Sequence, residues 1–212
     1  MVWAGAAAAT GCLPHSAWAN TRLHSQPFAW GVASGSPRDD GMVLWTRLAP
    51  AALPAPSGPT PLRWELAHDE HFCRLVRSGE AIALPELGHS VHVELSGLPS
   101  DRWYFYRFTL GDATSPTGRT RTLAAPGADV RRFRFAFASC QRWEHGYYAA
   151  WRHLCAEQPD AIVFLGDYIY EYASANVPAA ALARSHTLRH ARSLVDYRDR
   201  YALHRSDPDL QA

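Results

Sequence analysis

Apolar and polar residues alternate with a period of two in several short segments of the first half of the chain. Residues 62–66 and 89–95 show this alternation most clearly, and it is typical of a half-buried β-strand. Two further apolar segments, residues 28–35 and 42–48, are followed by turn-forming Gly, Ser and Pro residues. Strands spaced in this way, without helical patterns between them, predict an antiparallel β-sandwich of the immunoglobulin/fibronectin type over residues 28–125.

An aromatic run at residues 103–108 adds another strand to this set. Its alternation predicts that it contributes to the core of the sandwich. Leu98 and Pro99 precede Tyr104 in the way seen at the corner of such sandwiches, where a tyrosine hydroxyl bonds back to the preceding turn.

Four histidines of this region are candidate metal ligands: His68, His71, His89 and His92. They fall on polar strand faces or in loops, and no carboxylate stands at a spacing that supports ligation. The sandwich is therefore expected to have a structural role or to frame a substrate.

The pattern changes after a Pro-Gly linker at residues 125–129. A short apolar strand over residues 133–138 precedes a segment with apolar residues on one helical face, namely Tyr147, Trp151, Leu154 and Cys155. Residues 161–165 are continuously apolar, which is typical of a parallel strand buried on both faces. Strand, helix and strand together predict a βαβ unit, so residues 133–212 are expected to begin an α/β domain, for a mixed fold overall.

Polar residues stand where each of these two strands ends. Cys140 follows the first strand and Asp167 follows the second, with Tyr170 and Glu171 close behind. Ligand sites of parallel sheets form at the carboxyl ends of the strands. Asp167 could cap a following helix, but ligation of a metal is the favoured interpretation.

Composition limits the classes of function. The net charge of +1 argues against a nucleic-acid-binding module, because such a module needs a basic surface. The four cysteines show no C-x-x-C spacing, which excludes zinc-ribbon and thioredoxin sites.

The first residues have the order of a targeting segment. Small apolar residues at 2–13 precede Ala17-Trp18-Ala19, which predicts a signal peptide over residues 1–19 and a periplasmic or secreted protein. The apolar stretch is too short for a transmembrane helix. No basic residue precedes Arg22, so the signal is expected to be clipped at its start. A lipoprotein cysteine at Cys12 and a disordered Ala-rich tail are the alternatives.

Several segments resemble the PhoD-type alkaline phosphatase/phosphodiesterase family of the metallophosphatase superfamily. Residues 28–35 and 43–48 resemble its opening domain, and residues 197–201 and 206–211 resemble a later segment. The more specific pair is Phe137-Ala138-Ser139-Cys140-Gln141 with Phe164-Leu165-Gly166-Asp167-Tyr168-Ile169-Tyr170-Glu171.

The resemblance implies an enzyme that depends on Fe³⁺ and Ca²⁺ and hydrolyses phosphate mono- and diesters with metal-bound hydroxide. It implies that Cys140 and Tyr170 bind Fe³⁺ and that Asp167 bridges iron and calcium. Thiolate and phenolate are anionic donors suited to a ferric ion, and carboxylate oxygens suit calcium. The first strand ends in Ala138-Ser139-Cys140 rather than Asp-x-His, so only a Cys-ligated variant of the two-metal site is expected.

Cys140 is expected to be free of any disulfide. Cys73 belongs to the other predicted domain, and Cys155 is expected to be a buried thiol on the apolar face of the helix.

The later Asp-Asp-His-Glu motif of the family is absent here. The chain is therefore expected to be an N-terminal fragment that is inactive alone, and monomeric. The alternative function is a non-catalytic extracellular immunoglobulin-like binding module with a vestigial phosphatase segment.

Overall fold

A computed structural model describes residue 23 and residues 25–55 and 58–212. The predicted signal segment and Cys12 lie outside the described residues. Two antiparallel sheets form the first part of the chain, in the strand orders β1-β2-β5 and β4-β3-β6-β7, with β8 also paired to β6. The strands are β1 Val32–Gly35, β2 Met42–Arg47, β3 Thr60–Ala67, β4 Leu75–Ala83, β5 Ser90–Leu95, β6 Trp103–Leu110, β7 Ala113–Thr114 and β8 Gly118–Arg121.

The inner faces of the two sheets form one apolar core. In the first sheet Leu44 of β2 is paired with Val93 of β5, and in the second Leu66 of β3 is paired with Tyr106 of β6. All four side chains are buried. The period-two pattern therefore predicted the core-facing residues correctly, and the β-sandwich is confirmed.

The predicted tyrosine corner is also confirmed. The hydroxyl of Tyr104 donates a hydrogen bond to the carbonyl oxygen of Pro99 at 3.3 Å. Thr122 Oγ1 donates to the same oxygen at 2.8 Å, so the turn before β6 is held from two sides.

Two features of the sandwich differ from the prediction. The first strand begins only at Val32, because Gly31 lies at a φ of +67° and its amide donates to Phe28 O at 2.9 Å in a turn. Strands β4, β7 and β8 were not predicted. Leu75 and Ile82 stand exposed on β4, so it lacks the apolar alternation, and β7 and β8 are only two and four residues long.

The second part contains the predicted βαβ unit. Strand β9 (Phe135–Ala138) and strand β10 (Ala161–Phe164) are parallel neighbours, with helix α1 (Ala149–Ala156) between them in the chain. Helix α2 (Leu194–Arg205) begins with a capping box formed by Ser193 and Asp196, and the short helix α3 (Pro208–Gln211) follows.

The prediction that residues 161–165 are buried on both faces is wrong. Ile162, Val163 and Phe164 are each at least 40% exposed and Leu165 is 63% exposed. In the part of the chain that the structure describes, this sheet has two strands, and α1 covers one face of it, where Trp151 packs on Phe164 with ring centroids 5.2 Å apart. Two strands and one helix cannot enclose both faces of a sheet.

Two residues of the predicted helical face are also misplaced. Helix α1 begins at Ala149, so Tyr147 precedes it and is exposed. Cys155 is exposed rather than buried. Trp151 is buried as predicted.

The C-terminal helices pack on the first sheet of the sandwich. Arg205 of α2 donates to Trp30 O at 2.9 Å and to Val32 O at 3.0 Å, and Trp45 of β2 makes an edge-on contact with Tyr201. Among the described residues, no helix is long and apolar enough to cross a membrane.

Candidate metal centre

The carboxyl ends of β9 and β10 lie side by side and bring Cys140 next to Asp167. Leu165 N donates to Ala138 O at 2.9 Å, and Cys140 N donates to Gly166 O at 3.4 Å. The parallel pairing therefore continues just beyond both strands. The prediction from the strand-end rule is confirmed for the placement of these two residues.

Three side chains meet at one carboxylate oxygen. Asp167 Oδ2 accepts from Cys140 Sγ at 3.5 Å and from Tyr170 Oη at 3.2 Å. Cys140 and Asp167 are exposed and Tyr170 is half-buried. The structure thus brings together all three residues for which metal ligation was predicted, at an open edge of the sheet.

The backbone at this site is strained. Cys140 has a φ of +58° and Asp167 a φ of +51°, a left-handed conformation that side chains with a Cβ rarely adopt. Such residues persist where the surrounding structure fixes them, and they concentrate at functional sites. Asp167 does not cap a helix, since residues 168–173 are irregular, so the capping alternative is excluded.

The surroundings of Tyr170 disfavour its negatively charged phenolate form. Desolvation, then the hydrogen bond with Cys140 and the charge of Asp167, raise the pKa of Tyr170 to about 12. A cation among these donors would reverse the effect, because a bound metal favours the anionic form of each ligand.

Arg142 brings positive charge to the cluster and was not singled out from the sequence. Its guanidinium carbon lies 5.7 Å from the ring centroid of Tyr170 and 5.3 Å from that of Tyr172. Its Nε is 3.5 Å from Glu144 Oε2. The sequence feature that could have identified Arg142 is a basic residue two positions after Cys140.

A buried ionic network lies behind Arg142. Glu144 Oε1 is 3.1 Å from His186 Nε2, and Arg200 Nη1 contacts the same imidazole. Burial by itself raises the pKa of Glu144, but hydrogen bonds and the nearby charges of His186 and Arg142 hold it below its usual value. Sequence reasoning missed this network, since buried charges follow no periodic pattern.

The histidines of the sandwich do not join the cluster. His68 stacks on Tyr104 with ring centroids 5.5 Å apart, and His89 is buried in the turn before β5. Across residues 25–55 and 58–212, no three His, Cys, Asp or Glu side chains lie close enough to hold a metal ion. Within these residues, the phenol of Tyr170 is the third donor beside Cys140 and Asp167.

The thiols that the structure describes are all unbridged. Cys73, Cys140 and Cys155 are free and exposed. Cys140 is distinguished from the other two by the carboxylate and phenol beside it.

Comparison with known proteins gives two matching family models. Residues 14–124 match the N-terminal domain of PhoD-like phosphatases, and residues 135–212 match the PhoD-like phosphatase model itself. The chain is 50% identical over 192 residues to alkaline phosphatase D of Bacillus subtilis (strain 168), which covers 89% of this chain and 33% of that protein.

A solved structure described as the structure of PhoD matches with a TM-score of 0.84 and 48% identity. The match covers 89% of this chain and 37% of that one. The chain thus spans about a third of the length of the relatives it matches.

Proposed function

The chain belongs to the PhoD-like phosphatase family, and from this premise we propose that the protein hydrolyses phosphate mono- and diesters at a metal held by Cys140, Asp167 and Tyr170. The observation that carries the proposal is the convergence of a thiol and a phenol on one oxygen of Asp167, at 3.5 Å and 3.2 Å. The family supports the type of reaction, and this convergence supports the place.

The donor set fits a ferric ion. A thiolate, a carboxylate and a phenolate are three anionic ligands, and cysteine and tyrosine are both known to bind protein iron. When bound, iron would supply Lewis-acid chemistry, which offsets charge on a phosphoryl oxygen and makes water a better nucleophile near neutral pH.

Calcium fits the described residues less well. Calcium takes six to eight oxygen ligands, whereas the cluster offers one carboxylate and one phenol. Asp167 Oδ2 contacts both other donors, and the carboxylate would be one oxygen ligand for a second cation. We therefore propose that the cluster binds iron, and that Asp167 is the one residue of the cluster that would also bind calcium.

The residues of the chain have distinct tasks in this proposal. Cys140, Asp167 and Tyr170 would hold the metal, which binds the anionic form of each donor. The guanidinium of Arg142 beside the Tyr170 ring offsets negative charge of the ligands or of a phosphate group. Glu144 and His186 keep Arg142 and the following loop in place from the buried side.

We propose further that the protein acts outside the cytoplasm. Ala17-Trp18-Ala19 supports export, because small residues at these spacings form a signal cleavage site. N-terminal sequencing of the mature protein is expected to begin near Asn20. The monomeric state stays a prediction that size-exclusion chromatography tests.

A chimera tests the catalytic proposal. The matched residues of alkaline phosphatase D of Bacillus subtilis are replaced by those of this chain, and hydrolysis of an aryl phosphodiester is measured. We expect the chimera to turn over substrate. Cys140→Ser and Asp167→Asn are each expected to lower kcat/KM by about a hundredfold or more, since ligands of a metal centre are lost.

Cys155→Ser is the matched control, because it replaces another exposed free thiol and should leave kcat/KM within about twofold. A folded chimera without activity, or one that keeps full activity with Cys140→Ser, would contradict the proposal.

A further inference from the structure

Gln141, the residue that follows Cys140, makes hydrogen bonds to both neighbouring elements. Its Nε2 donates to Tyr168 O at 3.1 Å, and its Oε1 accepts from Trp151 Nε1 at 3.2 Å. Its backbone oxygen accepts from Tyr148 Oη at 2.8 Å. One residue thereby connects the loop after β9 to the loop after β10 and to helix α1.

The bond to Tyr168 is the third of three successive links between the two strand ends. The first two are backbone bonds, from Leu165 N to Ala138 O and from Cys140 N to Gly166 O. Beyond Cys140 the segments that follow β9 and β10 no longer pair through their backbones. The side chain of Gln141 forms the next hydrogen bond between them, to Tyr168 O. The residues directly after Cys140 and directly after Asp167 are thus joined.

This link acts where the backbone is strained. Cys140 and Asp167 both lie at positive φ, a conformation from which an unrestrained residue relaxes. The groups that anchor Gln141 are themselves fixed, because the side chains of Tyr148 and Trp151 are buried. Relaxation of either loop would have to break a bond of the Gln141 amide.

We infer that Gln141 is a positioning residue that holds the Cys140 thiol in reach of the Asp167 carboxylate, an inference that rests on the proposed metal-binding role of these two residues. An amide suits the task because it donates and accepts at once. A glutamate side chain lacks the donor that Tyr168 O requires, and a methionine side chain of similar length lacks both hydrogen-bonding groups.

Hydrogen exchange in the metal-free chain tests the link itself. The amides of Cys140 and Leu165 report on pairing between the strand ends, because both donate across the gap. In Gln141→Met we expect these two amides to exchange about tenfold faster, since two hydrogen bonds that hold the loops are lost. Amides of the sandwich core are expected to keep their rates.

Gln211→Met is the matched control. Gln211 Nε2 also bridges two backbone carbonyls, Ala29 O at 3.1 Å and Arg205 O at 2.7 Å, but neither bond reaches the loops after β9 and β10. This variant should leave the exchange of Cys140 and Leu165 within about twofold of the parent. Trp151→Phe, which removes one donor and keeps an aromatic ring, is expected to give a smaller increase and serves if Gln141→Met does not fold.

Titration of the chain with ferric iron tests whether Gln141 affects the affinity for the metal. Gln141→Met is expected to weaken the affinity of the chain for ferric iron by about tenfold, as loss of groups that orient metal ligands does, while Gln211→Met leaves it unchanged. Unchanged exchange at Cys140 and Leu165 in Gln141→Met would overturn the inference, and so would an equal increase throughout the chain. If the parent chain binds no iron, the proposed function fails, whereas the exchange measurement still decides the role of Gln141.

Discussion

The sandwich buries mainly apolar side chains, whereas the segment that follows it buries several charged and titratable ones. In the sandwich, apolar side chains such as Leu44 and Phe108 are fully enclosed between two sheets. In residues 133–212, the apolar strand β10 is exposed, whereas Glu144, Arg200 and His204 are buried. The sandwich contains both layers of its own core, and the two-stranded sheet does not. An apolar sequence pattern therefore predicts burial only where the same segment supplies the covering layer.

The largest effect is expected from the buried charges. Arg200 is 1% exposed and contacts His186, Glu171 O and Arg189 O. Arg200→Met removes the cation beside His186 and leaves these three hydrogen-bond acceptors without their donor, so it should lower the free energy of unfolding by about 4 kcal/mol. Chemical denaturation measures this loss. Arg38→Met, at an exposed pair with Glu94, should cost at most about 1 kcal/mol, and equal losses would remove the contrast between the two sites.

A pair of truncations compares the two apolar regions directly. Leu66 is fully buried, and Val163 is 45% exposed. Leu66→Ala is expected to lower the free energy of unfolding by about 3 kcal/mol, because a cavity is left in a closed core. Val163→Ala should cost less than about 1 kcal/mol. A comparable loss from Val163→Ala in a urea titration would mean that β10 is covered in solution.

Low pH is expected to destabilise the segment with the buried charges, because His204 is buried there. Burial lowers the pKa of His204 to about 4. Its Nδ1 donates to Arg200 O at 3.0 Å, while its Nε2 has no partner among the described residues. Glu144, Arg184 and Arg200 also carry charge near it.

In the unfolded chain, His204 has its ordinary pKa of 6.5 and takes up a proton as the pH falls through that value. In the folded chain, the same imidazole stays neutral until about pH 4. Stability is therefore complete above pH 6.5 and falls as the pH drops toward 4, by about 2 kcal/mol or more from this residue. Unfolding free energies measured at pH 7 and pH 4.5 should show this fall, and His204→Gln should reduce it. An identical fall in His204→Gln would contradict the assignment.

Much of the fold could be predicted from the sequence because its strands bury one face each. Residues 62–66 and 89–95 alternate, and the structure buries the apolar set of both. Strand β4 escaped prediction since it lies at a sheet edge with exposed Leu75 and Ile82. The burial of residues 161–165 was predicted wrongly, because an apolar run indicates that a covering layer is needed and not that the chain provides it.

The candidate site was predictable to a different degree. Cys140 and Asp167 follow from the position of polar residues after parallel strands, and Tyr170 follows from the family resemblance. Gln141 and Arg142 were missed, because their contacts join loops that are distant in sequence. Only the folded chain brings Gln141 to Tyr168 O and Arg142 to the ring of Tyr172.

The visible absorption spectrum of the chain loaded with ferric iron tests the central claim most directly. A phenolate bound to a ferric ion gives a charge-transfer band, so the parent chain should be coloured. Tyr170→Phe should remove the band, because it deletes the phenol that faces Asp167 Oδ2 at 3.2 Å. Tyr147→Phe, at an exposed tyrosine outside the cluster, should leave it intact. A band that is unchanged in Tyr170→Phe, or a parent chain that stays colourless with iron, would contradict the assignment of Cys140, Asp167 and Tyr170 as a metal centre.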